Sequence, residues 1–249
     1  MTFPLAIAAL LGLTVFATSF LAGIFGMAGG MILMAVLLAF MPVPQAMMLH
    51  GVTQVTSNLW RAVLWRAYVE WRIVLRYCAG LVLAVCCFAF VVYVPDRATV
   101  LIVLGLIPML AMVVPERWAP KVDERGGAEL AGFASTAIQL VSGVSGPLLD
   151  LFFVRTKLGR RQIVASKAVC QTVTHLTKLF YFAGLAQAGG SSGGLWLYGG
   201  AIVLAIAGTS ASRFVLERLS DAQFRQWTRW IVLVLAAACL WQGLAMAAG

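Results

Sequence analysis

The chain has 249 residues, is 62% hydrophobic and 11% charged, and carries a formal net charge of +9, with a mean hydropathy of +0.95. Soluble domains carry about 25% charged residues, so a water-soluble globular protein is excluded and a polytopic membrane protein is expected. The basic surplus belongs to loops beside anionic lipid and calls for no nucleic acid. Five cysteines, at 78, 86, 87, 170 and 239, lie in apolar runs with no C-x-x-C pair, and read as small buried hydrophobes, neither a disulfide framework nor a zinc site.

In chain order, Met1-Thr-Phe-Pro4 carries no charge ahead of its apolar run. It lacks the basic region of a cleaved signal peptide and reads as part of the first membrane helix. About 20 apolar residues cross a bilayer as a helix, and the stretch 5–41 is too long for one crossing. It is also broken by Gly26-Met-Ala-Gly29-Gly30. Glycine inside a helix costs about 1 kcal/mol against alanine, and freed backbone groups cannot face lipid. A hairpin of two helices meeting in a buried turn is therefore expected over 5–41, followed by spans at 45–66, 72–94 and 97–114. Residues 115–127 form the only strongly polar linker. A second broken stretch, 128–156, contains Gly143-Val-Ser-Gly146-Pro147, and spans follow at 161–184, 194–218 and 224–248.

The two breaks stand 117 residues apart, and that offset, without a gap, also pairs Gly29 with Gly146, Gln45 with Gln162, Gln54 with Gln171 and Leu59 with Leu176. It sets Ser57 against Thr174, Asn58 against His175 and Arg61 against Lys178. Polar residues unwelcome in hydrocarbon thus recur in register, as in duplicated transporters with broken helices. Residues 1–114 and 128–249 read as two repeats.

Charge orients them. If each hairpin returns to its own side, 16 of the 18 Lys and Arg fall on one face or its adjoining helix ends, leaving Arg97 and Lys178. By the positive-inside rule that face is cytoplasmic, and both termini are non-cytoplasmic. The first hairpin then enters from outside and the second from the cytoplasm. The expected fold class is an all-α polytopic membrane protein with two inverted-topology repeats, which places a substrate site near the midplane.

Helices restarting after Gly29-Gly30 and at Pro147 leave free N–H groups and positive dipole ends in mid-membrane, which suits an anion. The bland reading is small-residue helix packing. After each hairpin comes a polar stripe: His50, Gln54, Ser57 and Arg61, then Lys167, Gln171, Thr174 and Lys178 at the same spacing. Each stripe shares one helix face, where polar groups line a cavity or bond a neighbouring helix. Gln54 and Gln171 are the stronger ligand candidates, because an amide donates two hydrogen bonds. Arg61 and Lys178 are expected to snorkel to the cytoplasmic and outer edges. The expected substrate-binding set is Gly26, Ala28, Gly29, Gln54, Asn58, Gly143, Ser145, Gly146, Gln171 and His175. Asp150, expected in the first turn of the restarted helix, either stabilises that start or couples a proton. His50 and His175 have no metal-site spacing.

The Gly26-Met-Ala-Gly-Gly30 break, the Pro42-Val-Pro-Gln-Ala46 entry to the next helix and the second copy Ser142-Gly-Val-Ser-Gly-Pro147 resemble the TauE/SafE family of sulfite and sulfonate exporters, also called the toluene sulfonate uptake permease family. The second copy departs from the pattern, with Pro147, Leu148 and Leu149 in place of a more glycine-rich run. The resemblance implies an inner-membrane secondary transporter of a small sulfur-containing or organic anion, working by alternating access, with export as the direction. No cofactor, metal or covalent chemistry is expected. The partners are the anion and the lipid bilayer, and a homodimer is compatible with such a fold. An anion channel, a membrane scaffold and an intramembrane enzyme are the alternatives.

Overall fold

The computed structural model describes residues 4–25, 28–90, 93–115, 118, 120–153, 156–188, 194–216 and 221–248. Among these the secondary structure is helical throughout. The α-helices are α1 (Leu5–Phe25), α2 (Ala28–Phe40), α3 (Val43–Leu64), α4 (Trp71–Ala89), α5 (Arg97–Val113), α6 (Gly127–Ser142), α7 (Gly146–Phe153), α8 (Arg160–Ala188), α9 (Leu195–Leu216) and α10 (Asp221–Ala248). α4 ends at Ala89, short of the expected 94, while α8 runs a turn beyond the expected 184.

Local chemistry sets many of the ends. Pro42 and Pro44 open α3, since a proline at the first helical positions sacrifices only an N–H that has no partner there. Asp96 caps α5 by accepting from the Thr99 amide at 2.8 Å. α6 lies between Gly126 and Gly143, both at φ 76°, a left-handed conformation that side chains with a Cβ rarely adopt. At its far end the Gly143 amide donates to the Gln139 carbonyl at 2.8 Å, closing the turn that precedes α7.

Four helical segments are long and apolar enough to cross a membrane: Leu5–Ile24, Trp71–Ala89, Leu195–Ser212 and Arg229–Ala248. α3 and α8 do not qualify on hydropathy, and their packing shows why. They hold the polar stripes and pack against each other at the centre of the molecule, so neither depends on lipid for solvation. α8, with 29 residues, is about 43 Å long, longer than the roughly 30 Å hydrocarbon layer. Lipid-type residues instead occupy the periphery, where Phe90, Phe180 and Trp241 are exposed.

Around the α3–α8 centre, α1 packs on α9, α4 on α6 and α5 on α10. Exchanging α1 with α6, α2 with α7, α3 with α8, α4 with α9 and α5 with α10 maps this set of pairs onto itself. Glycine makes the close approaches. A Cβ on Gly80 would fall on the Glu129 carbonyl and one on Gly132 on the Tyr77 carbonyl, joining α4 to α6. Gly23 and Gly208 do the same between α1 and α9, against Ser212 and the Phe16 carbonyl. Membrane helices gain from such contacts because close backbone approach maximises dispersion attraction.

Candidate functional site

α2 and α6–α7 bring their ends together against the inner faces of α3 and α8. His50, early in α3, and Lys178, late in α8, are both fully buried, and Lys178 Nζ donates to His50 Nδ1 at 2.7 Å. On its other side His50 Nε2 meets the Gly30 carbonyl at 3.0 Å. A carbonyl can only accept, so Nε2 carries the proton and Nδ1 is left to accept from the lysine. The same Nζ donates to the Gly143 carbonyl at 3.1 Å. One chain of bonds, Gly30–His50–Lys178–Gly143, therefore links the first helix break to the second.

A second chain lies beside it. Ser145 Oγ donates to Gln139 Oε1 at 2.7 Å, and Gln139 Nε2 lies 2.5 Å from His175 Nδ1. The His175 and His50 rings are 5.5 Å apart between centroids, so the two chains share one buried centre. Gln54 sits at its edge: a Cβ built on Gly30 would lie 3.6 Å from both the Gln54 amide carbon and His50 Nε2. Gln54 Nε2 is buried without a hydrogen-bond partner. A donor left idle in a dry interior costs about 1–3 kcal/mol, and a ligand oxygen would satisfy it.

Of the residues singled out from the sequence, the structure gathers Gly143, Ser145, Gln54 and His175 around this centre. Gln171 is buried on α8, one turn before His175 on the same face. Asn58 donates to the Gln54 backbone carbonyl at 2.9 Å, within its own helix. Ala28, Gly29 and Gly146 are buried at the restarts of α2 and α7; a Cβ on Gly29 would strike the Thr18 carbonyl and Ala22 of α1, so this glycine is held by packing. Gly26 lies outside the described residues. Hydroxyls of the stripes pin helices together: Ser57 Oγ and Thr209 Oγ1 are 2.7 Å apart, as are Tyr77 Oη and Thr174 Oγ1.

Three expectations are corrected. Lys178 does not snorkel outward: α8 continues for ten residues beyond it, to Ala188, about 15 Å of helix, more than a lysine can reach. Arg61 turns inward as well, and its Nη2 donates to the Ala22 carbonyl at 2.8 Å, near the end of α1. Asp150 stands in the second turn of α7, beyond the first-turn N–H groups, and forms an ion pair with Lys167; its partner is a side chain and not the helix start. Gln139 was not singled out from the sequence, although a lone amide four residues before Gly143 in an apolar run was its signal.

The electrostatic character of this interior is one-sided. Among the described residues the buried polar set includes Arg61, Lys178, His50 and His175 and no Asp or Glu. Burying a cation without a counter-charge is costly, and Lys178 has only neutral partners.

A family model, Sulfite exporter TauE/SafE, matches residues 10–239. The chain belongs to this family. It is a family of membrane transporters, and the match runs through both helix breaks and both polar stripes. Searches of curated proteins and of solved structures each found no match.

Proposed function

We propose that this TauE/SafE protein moves a small sulfur-containing anion, sulfite or a sulfonate, across the inner membrane by alternating access, with export as its direction. The observation that carries the reading is the buried Lys178 Nζ between the two helix breaks, bonded only to neutral groups, in an interior whose described buried residues include no carboxylate. An oxyanion there supplies the missing counter-charge and accepts from Lys178, Gln54 Nε2 and the first N–H groups of α2 and α7. Gln139 and Ser145 hold His175 in place beside it. A carboxylate substrate would meet the same charge, but sulfite presents three oxygens on a small pyramid, better suited to donors converging from two helix breaks.

The transport cycle follows from two halves related by inversion. Support for that relation comes from helix pairs that map onto themselves when the halves are exchanged, and from α3 and α8 crossing with opposed ends, so that His50 near one start meets Lys178 near the other end. Rocking of one half on the other would open the Lys178 centre to each side in turn. The charge-bearing loops at 66–72, 115–127, 155–161 and 218–224 are assigned to the cytoplasm on the positive-inside rule.

The test is a binding screen on detergent-purified protein with sulfite, sulfonates, thiosulfate and short carboxylates, read by thermal shift and by calorimetry. Saturable binding of a sulfur oxyanion, with carboxylates weaker, is the expected result; stabilisation grows as RT ln(1 + [L]/Kd). Preference for carboxylates, or no binding by any of the four classes, would overturn the substrate assignment.

A further inference from the structure

The Lys178 centre has a counterpart at the opposite end of the α3–α8 pair. Arg61, in register with Lys178 at the 117-residue offset, is likewise buried and likewise donates to a carbonyl at the end of the first hairpin helix of its own half, Ala22 at 2.8 Å. Lys167, in register with His50, contacts the second hairpin helix of its own half through Asp150, as His50 does through Gly30. The register that pairs His50 with Lys167 and Arg61 with Lys178 turns the His50–Lys178 contact across α3 and α8 into a facing of Lys167 and Arg61 across the same two helices. Two features set this end apart. Arg61 Nε is buried with no hydrogen-bond partner, and the Lys167 and Asp150 side chains are 18% and 22% exposed, unlike the fully buried Lys178 and His50.

We propose that Arg61 and Lys167 form a second oxyanion subsite, at which the Asp150 carboxylate is the resident competitor. A guanidinium presents five donors in a planar fork; Nη2 is taken by Ala22, whereas Nε is idle. An oxyanion with two or more oxygens can accept from Nε and from Lys167 Nζ together. In its absence Asp150 neutralises Lys167 while Arg61 bonds only the Ala22 carbonyl; on arrival the anion pairs with both cations, and the displaced carboxylate turns to the partly exposed side of the cluster. An ion pair able to break in this way gives the anion a resting place between bulk solution and the Lys178 centre, on the face that the basic loops assign to the cytoplasm. The class of ligand rests on the transporter reading, but the residues are separate from those at Lys178.

Equilibrium dialysis of the purified full chain against radiolabelled sulfite tests it. The parent should bind two sulfites per chain, and Lys178→Met and Arg61→Gln should each bind one. Arg61→Gln also loses the bond to Ala22 and its fold could suffer, so Asp150→Asn, which leaves Arg61 in place, is the deciding variant. Removing the competing carboxylate should tighten the second site about tenfold, the effect of roughly 1.4 kcal/mol, and leave the first unchanged. One sulfite per chain, lost in Lys178→Met and indifferent to both Arg61→Gln and Asp150→Asn, would overturn the second subsite while sparing the central one. One sulfite retained in Lys178→Met, lost in Arg61→Gln and tightened in Asp150→Asn, would support the second subsite and reject the central one.

Discussion

Lys178 and Gln54 show how far single residues could be read from the sequence. Both stood out as polar groups in an apolar helix, and the symmetry of the stripes singled out Gln54 as a ligand. The lysine's direction was not legible, because whether a long side chain leaves the membrane depends on how far its helix continues, and α8 continues to Ala188. Gln139 escaped notice because its importance comes from two partners distant in sequence or across a break, His175 and Ser145. Gln54→Ala should weaken sulfite binding at least tenfold with little change in thermal stability, since a hydrogen bond to a charged ligand is worth about 1.5–3 kcal/mol and no bond within the protein is lost from Nε2. Calorimetry on the purified variant checks it; an unchanged Kd would move the ligand away from α3. Asp96 provides a pH test outside the membrane. Hydrogen bonds from the Thr99 amide and hydroxyl hold its carboxyl below the usual range. A lowered folded value means that the cap contributes fully above the unfolded pKa of about 3.9 and fades as pH falls through the folded one. Asp96→Ala should therefore cost about 1 kcal/mol at neutral pH, with the gap from the parent closing in thermal melts as pH falls below that unfolded value.

At the scale of elements, the helix breaks were legible because glycine and proline interrupt apolar runs for reasons that are local. How the helices would pair was not, because the contacts that pair them are made by glycines that look unremarkable in sequence. Gly80 and Gly132 let α4 and α6 touch backbone to backbone, and Gly29 lets α2 lie against α1. Side chains inserted into a packed interface usually cost about 1–3 kcal/mol, and here the obstacle is backbone, which cannot rotate away. Gly132→Leu and Gly29→Leu should thus lower the melting temperature and the yield of monodisperse protein. Gly29→Leu separates two roles for the first break: if it folds at parental stability yet loses sulfite binding, the glycine serves the ligand and not the α1–α2 contact.

For the whole molecule, a membrane protein was legible from composition alone, since 11% charged residues cannot solvate a surface in water, and its helices from apolar runs of about 20 residues. The inverted arrangement rests on charge bias and on helix pairs that exchange with one another, and it makes a direct topological prediction. In a cysteine-free background, Val94→Cys and Lys157→Cys, both at exposed positions, should react with an impermeant thiol reagent from opposite sides, Val94→Cys from outside and Lys157→Cys only after the membrane is opened. Labelling of both from one side would end the inverted reading. The central claim, that a buried lysine between two helix breaks holds the transported anion, meets its most direct test in sulfite counterflow into proteoliposomes. The parent protein should show saturable counterflow, and Lys178→Met, reconstituted to the same density and melting within a few degrees of the parent, should show none; counterflow by Lys178→Met at the parental rate and half-saturation would contradict the account.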